Sequence, residues 1–340
     1  MSFRPRRLAR RAPLLSAVLA VLALLGPLLA LTTPVGAAVT PGAAASARVV
    51  EAAAARDPRT TRPFYVDAAM PAARAGAAYA AIGRRPQARW FTDGAYPTPA
   101  AVRAGVVDYT RRAAAARRTP VLVLYAIPGR DCGGASSGGL PTAAAYTAWV
   151  RAAAAGLRGT RPMVVLEPDA IPFATRPECG SPTARTRLLA AAVTALSRAG
   201  AWVYLDAGHS DWVDAATTAR LLRSAGVAKA RGFAVNVANH QPSGRVQAWA
   251  AQVRSELARI RVPGRRYVVD TSRNGAATPV SGDWCNPTWA RLGTKPARVF
   301  RSGLDARLWI KNPGESDGEC NGGPAAGTWW PAGADVLLGR

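Results

Sequence analysis

Seven short apolar runs, spaced by helix-length segments, constrain this chain more than any other feature. They are Phe64–Val66, Val121–Tyr125, Met163–Leu166, Trp202–Leu205, Phe233–Val237, Tyr267–Val269 and Leu308–Ile310. Their β-branched, aliphatic and aromatic residues suit buried, pleated strands. Segments 98–118, 141–158, 183–199, 212–225 and 243–260 between them are long enough for helices. Strands alternating with helices predict a parallel sheet, because parallel neighbours need a long crossover. The predicted fold is α/β, a (β/α) barrel of about seven parallel strands. An open sheet carries the same pattern and stays as the alternative.

Charge collects at the ends of these runs. Asp67, Asp131, Asp169, Asp206, Asp270 and Lys311 all stand at or just beyond the C-terminal end of one. In a β/α barrel that rim is the active face. Asp131 sits in Tyr125-Ala-Ile-Pro-Gly-Arg-Asp-Cys132, and Asp169 in Val164-Val-Leu-Glu-Pro-Asp-Ala170. Paired carboxyls at strand ends suit cleavage of a glycosidic bond, one protonating the leaving oxygen while the other activates water. A free Asp is ionised near neutrality, but a neighbouring carboxylate disfavours its charge and keeps its proton on. Plainer readings exist. Asp169 after Pro168 suits a helix N-cap, Asp206 before Ala-Gly a turn, and Asp317 a solvated Gly-rich loop. Repetition over six run ends argues against coincidence.

Residues 1–38 read as an export signal. Arg4, Arg6, Arg7, Arg10 and Arg11 precede an apolar stretch from Ala12 to Leu31, and small residues follow up to Ala37 and Ala38. That order fits a cleaved secretory signal. The Arg6-Arg7 pair fits twin-arginine export, and an uncleaved anchor is the rival reading. Residues 39–61 form an Ala-rich tail, and 62–340 a single catalytic domain. The four cysteines, Cys132, Cys179, Cys285 and Cys320, suit disulfides in an exported protein, with three possible pairings. Sequential pairing would close loops worth on the order of 4 kcal/mol each. The lack of CxxC spacing argues against zinc. The net charge of +24 raises a nucleic-acid reading. The arginines are scattered through Ala/Arg-rich helical segments without interleaved aromatics, so solvated helix faces explain them better.

The ordered motifs resemble glycoside hydrolase family 6, secreted cellulases that cut β-1,4-glucan. The matching stretches are Tyr125–Cys132, Leu166–Asp169, Tyr204–Trp212, Gly232–Asn239 and Trp309–Gly318, with Asp283–Pro287 as a shorter sixth. The resemblance implies a distorted β/α barrel and cleavage with inversion. It assigns Asp169 as general acid and Asp131 as the neighbour that raises its pKa. Asp317 takes the position proposed as base or water relay, with Asp131 acting through water and Ser137 as the competing proposal. Asp206 becomes a supporting charge. Tyr125, Trp90, His209, Trp212, Asn236, Trp284, Lys311 and Glu315 fall at sugar-binding positions. The family needs no metal or cofactor, and His209 with His240 alone would make a poor metal site.

The resemblance has departures. Gly318-Glu-Cys-Asn-Gly-Gly323 is short, as is the stretch between Asp270 and Trp284. Chain-end-specific members enclose the glucan with longer loops there. Short loops imply an open cleft and internal cuts, so an endoglucanase is expected over a cellobiohydrolase. A noncatalytic glucan binder on the same scaffold would have no need of four grouped carboxyls. The expected protein is secreted, monomeric, free of the membrane after signal removal, and binds β-1,4-glucan.

Overall fold

The computed structural model describes residues 57–340, apart from 278, 279 and 281. The expected signal and most of the expected tail lie outside the described residues. Eight strands form one sheet: β1 (Arg89–Thr92), β2 (Val121–Tyr125), β3 (Met163–Leu166), β4 (Trp202–Asp206), β5 (Gly232–Val235), β6 (Arg266–Asp270), β7 (Ala297–Arg301) and β8 (Leu304–Leu308). Their order is β1-β2-β3-β4-β5-β6-β8-β7. All neighbours pair in parallel except β7 and β8, so seven strands are parallel. No ladder joins β1 to β7 among the described residues. Instead the Ala88 N–H donates to the Trp309 carbonyl (2.9 Å), and Trp90 Nε1 to the Ile310 carbonyl (2.8 Å). The result is the parallel barrel that the pattern predicted, distorted as the resemblance implied and incompletely closed.

Five helices cross between successive strands: α1 (Pro99–Ala115), α2 (Ala143–Leu157), α3 (Pro182–Arg198), α4 (Ala215–Ser224) and α5 (Ser243–Arg259). Four begin on a side-chain cap: Thr98, Thr142, Ser181 and Asp214 each accept an N–H from the first turn. Helix α6 (Pro331–Leu338) ends the chain. Strand alternation splits the core in two. Leu122 and Leu124 face the helices with Phe91, Val164 and Val203. Val121, Val123 and Tyr125 face the barrel interior with Met163, Val165, Tyr204 and Val268. Tyr125 therefore points inward at the mouth, where the strands end.

Several boundaries differ from expectation. Phe64–Val66 is not a strand of the sheet. Phe64 makes one bridge, to Thr119, and packs inside the barrel. Asp67 therefore does not stand on the active rim. It lies beside the start of β1 and the end of α1, ion-paired with Arg112 and Arg89. The final parallel strand is Leu304–Leu308 rather than Leu308–Ile310. The tail also ends early. Pro58–Thr61 is helical, and Arg59, 2% exposed, donates to the Pro162 and Gly200 carbonyls. Between β6 and β7 the crossover is the loop 271–296, which has no helix among its described residues and carries Arg273, Trp284 and Asn286 toward the rim.

Candidate active site

Three carboxyls meet where β2, β3 and β4 end. Asp206 is the last residue of β4, in phase with the inward Tyr204, and is fully buried. Its Oδ2 accepts the Asp169 N–H at 2.7 Å. Asp169 adopts φ +68°, a conformation rare for residues with a Cβ, and this hydrogen bond helps hold it there. Burial and the charges of Asp206 and Asp131 raise the Asp169 pKa well above the ordinary carboxyl range. Burial pushes Asp206 up to about 7 against the backbone N–H groups that favour its charge. Asp131 begins a 3-10 turn, half-buried, and accepts the Ser136 N–H at 2.6 Å. Burial raises its pKa as well. Three acids so close cannot all ionise freely, so the cluster holds a proton near neutrality.

Asp317 belongs to the opposite kind of environment. Arg273 Nη1 lies 2.7 Å from one carboxylate oxygen, Lys311 Nζ 3.3 Å from the other, and the Asn286 N–H donates to it at 3.1 Å. These charges hold Asp317 well below the usual carboxylate range despite its burial. Lys311 also donates to the Ser316 carbonyl (2.8 Å). Lys311 is thus engaged with its own loop. Glu315 is half-buried, accepts from Asn312 (3.1 Å) and has its pKa raised by burial.

Aromatic groups flank the acids. The Trp90 and Tyr125 rings meet edge to face at 5.4 Å, and the Arg130 guanidinium lies 4.8 Å from the Tyr125 ring centre. His209 packs on Trp212, which meets Phe173 edge to face. Burial lowers the His209 pKa to about 4, so it is neutral near pH 7. Trp284 is 49% exposed beside a cavity of about 300 Å³ that it lines with Ala135 and the Cys285–Cys320 bridge. An exposed indole offers a flat apolar face to a pyranose ring. Asn236 is placed differently. It is fully buried; its Nδ2 donates to the Asp270 carbonyl and its Oδ1 accepts the Gln241 N–H, supporting the β5 turn from behind.

The disulfides pair sequentially, Cys132–Cys179 and Cys285–Cys320. The first ties the Asp131 turn to the segment after Asp169. The second joins the 271–296 loop to the segment after Asp317. Sequence reasoning missed Arg273, Asn286 and the latch of Arg130 on Asp93. It had placed Asp270 on the rim, but not as the hub it is. Asp270 accepts four backbone N–H groups, from Ala238, Ser272, Ile310 and Lys311, joining the ends of β5, β6 and β8. Among the described residues no group of three His, Cys, Asp or Glu side chains could hold a metal ion, and no helix is long and apolar enough to cross a membrane.

The model for "Glycosyl hydrolases family 6" matches residues 54–340. Endoglucanase A of Cellulomonas fimi is 43% identical over 282 residues, covering 80% of this chain and 60% of that protein. Endoglucanase 1 of Streptomyces halstedii is 39% identical over 295 residues, covering 82% and 89%. The chain thus spans well under two thirds of the Cellulomonas protein but most of the Streptomyces one. Among solved structures, the endoglucanase Cel6 from Mycobacterium tuberculosis, in complex with a methyl-cellobiosyl-4-deoxy-4-thio-β-D-cellobioside, superposes with a TM-score of 0.77 at 38% identity. The match covers 84% of this chain and 100% of that one. With barrel, carboxyl cluster and family match in agreement, this chain belongs to glycosyl hydrolases family 6.

Proposed function

We propose that this chain is a secreted endo-β-1,4-glucanase that hydrolyses internal glucosidic bonds with inversion. The observation that carries the reading is the meeting of Asp169, Asp206 and Asp131 at the barrel mouth, with the Asp169 N–H bound to Asp206 Oδ2 at 2.7 Å; desolvation and the neighbouring charges raise the Asp169 pKa. Asp169 gives its proton to the glycosidic oxygen as the bond to the anomeric carbon breaks. Water attacks that carbon from the opposite face and loses its proton, which inverts the configuration. Asp317 is a poor acceptor for that proton, since Arg273 and Lys311 stabilise its charged form. Asp131, raised by burial and adjoining Ser136 and Ser137, takes the proton through water in this reading. Asp317 is the fixed anion that orders Arg273 and Lys311 around the cleft. Tyr125 and Trp90 press on the sugar at the cleavage point, and Trp212 with His209 and Trp284 form platforms on either side. Lys311 and Glu315 line the same rim. Residues 1–38 act as the export signal in this reading, and the two disulfides suit an extracellular site.

The test is hydrolysis of carboxymethylcellulose by the exported protein, following viscosity and reducing ends together. A rapid fall in viscosity with few new ends is expected from internal cuts. Slow viscosity loss with steady cellobiose release would refute the endo reading, and no hydrolysis of any β-glucan would refute the enzyme reading.

A further inference from the structure

One buried carboxyl near the acids has no part in the chemistry above. Glu167 lies two residues before Asp169 and is fully buried. It adopts φ +48°, unusual for a residue with a Cβ. Its Oε2 accepts the N–H groups of Ala126 (3.0 Å) and Ile127 (3.0 Å), and its Oε1 lies 3.2 Å from the Ala126 nitrogen. These two amides open the loop that runs from the end of β2 to Asp131. The Glu167 backbone N–H also extends the sheet ladder to Leu124 (2.9 Å). One residue thus belongs to the acid's loop by its backbone and grips the neighbouring loop by its side chain.

A second side chain works in the same gap. Arg185 of α3, 6% exposed, donates to the Cys179 carbonyl (2.6 Å) and reaches the Gly129 carbonyl (3.4 Å). Gly129 precedes Asp131 by two residues, and Cys179 is bonded to Cys132. Further along, Gly139 (φ +96°) seats the return of this loop. A Cβ there would lie 1.9 Å from the Ile127 carbonyl oxygen, so the loop closes directly onto the residues that Glu167 holds. Arg130, Arg185 and the Tyr146 hydroxyl of α2 face the Glu167 carboxyl.

Two orphan amides at a strand end need acceptors, but a backbone carbonyl or water meets that need at little cost. A fully buried carboxyl is a costly choice. Its return is rigidity: one planar group bonded to successive amides fixes the direction in which the chain leaves β2. That direction sets how near Asp131 comes to Asp169. We propose that Glu167 is a positioning residue that braces the Asp131 loop against the Asp169 loop and so fixes the spacing of the two acids. This rests on Asp169 acting as the acid with Asp131 as its neighbour.

The experiment compares the exported wild type with Glu167→Gln and Glu167→Asp. Gln keeps the shape, but setting its carbonyl oxygen on the two amides brings its NH2 to the place of Oε1, 3.2 Å from the Ala126 nitrogen, donor against donor. Asp keeps the charge but is one methylene short. Hydrogen exchange across Ala126 and Ile127 reads the brace without reference to activity. The kcat, KM and pH profile on carboxymethylcellulose read its effect on the acids. For Glu167→Gln, exchange at these amides should quicken at least about tenfold, and kcat should fall about 10- to 100-fold with KM within about twofold. The alkaline limb of the profile should move to lower pH, because Asp131 then presses less on Asp169 while Asp206 is unchanged. Glu167→Asp should recover part of kcat and of the protection. If Glu167→Gln does not fold, the Asp variant decides, and wild-type exchange and wild-type kcat in it would overturn the proposal. Unchanged exchange in a folded Gln variant would also overturn it. So would a fall in kcat matched by the unfolded fraction with the alkaline limb in place. A wild type inactive on every β-glucan would refute the enzymatic reading, while the exchange data would still judge the brace.

Discussion

Replacing Asp317 by Asn isolates the role of the ionised carboxylate. In the wild type Arg273, Asp317 and Lys311 have side chains 4%, 5% and 10% exposed, so none can turn to water for relief. Removing the anion leaves two buried cations facing each other. Breaking one partner of such a pair costs about 3–5 kcal/mol. Asn keeps the shape and an acceptor for the Asn286 N–H, so the lower half of that range, about 3 kcal/mol, is expected. At roughly 2–4 °C per kcal/mol for a large domain, the melting temperature at pH 7 should fall by about 6–12 °C. The difference has a definite pH dependence. The folded pKa of Asp317 lies below its unfolded value, so its contribution is complete above about pH 4 and is lost as pH falls through the folded pKa. The melting difference should therefore persist from pH 8 to about pH 5 and shrink only in strong acid. Adding Lys311→Met to Asp317→Asn should recover part of the loss, because one stranded cation is removed. Melting curves of the wild type and the two variants at pH 7 and at pH 3 decide the matter. An Asp317→Asn protein that melts with the wild type at pH 7 would refute the claim that this carboxylate neutralises the buried cations.

Asp169→Ala should lower kcat on natural β-glucan by about 10²–10⁴ while binding of a soluble oligosaccharide, read by titration calorimetry, stays within a few-fold; undiminished turnover would remove Asp169 from the mechanism. Urea midpoints should fall as pH rises from about 4 to about 8. Glu167 and Asp206 have folded pKa values raised to about 7, so the stability they allow is complete below their unfolded pKa and lost as pH rises through the folded one. A midpoint that rises over that window would contradict this. Opening Cys132–Cys179 by a paired Ser substitution releases a loop of 47 residues' separation. By chain entropy that costs about 4 kcal/mol. Activity should fall more steeply than for the same change at Cys285–Cys320, since Cys132 adjoins Asp131. Equal losses of activity would show that the first bridge supplies stability alone.

The barrel was legible wherever the strands were apolar on both faces, as β2 to β6 are. It was illegible where they were not. In β1, Arg-Trp-Phe-Thr, three of four residues are half-exposed at the sheet edge. In β8, Leu-Asp-Ala-Arg-Leu places Asp305 inside the barrel floor, where Arg231, Arg266 and the Tyr204 hydroxyl meet it. A buried ion cluster thus reads in sequence as a polar turn. Phe64–Val66 misled for the converse reason: only Phe64 packs inside the barrel, Val66 is exposed, and the run makes a single bridge. At the site, the carboxyls stood out because acids are scarce in this chain. Arg273 did not, because arginine is everywhere, and the residue distinguishes itself only through its burial against Asp317. The Asn236 carboxamide shows the limit of motif matching: a residue in the right motif faces the backbone rather than the cleft.

The same residue type is put to opposite uses around one rim, and the neighbours decide which. Asp206 is buried and Asp169 half-buried among carboxyls and backbone amides, without an ion pair among the described residues, so desolvation and like charge keep a proton in the cluster. Asp317 is also buried but touches two cations, so its charge is fixed. A site that must donate a proton on one side and keep its positive groups in order on the other needs both environments at once. Strand spacing cannot supply the contrast, since neighbouring strand ends are about 5 Å apart along the sheet. The contrast comes from the chain between the strands. Asp206 ends β4 itself and Asp169 follows β3 by three residues, while Arg130, next to Asp131, is drawn off to Asp93. Arg273 arrives on the loop after β6, the one crossover without a described helix. Replacing that loop while keeping every strand would therefore take Arg273 away from Asp317, leave Lys311 beside it, and leave the proton on Asp169 in place.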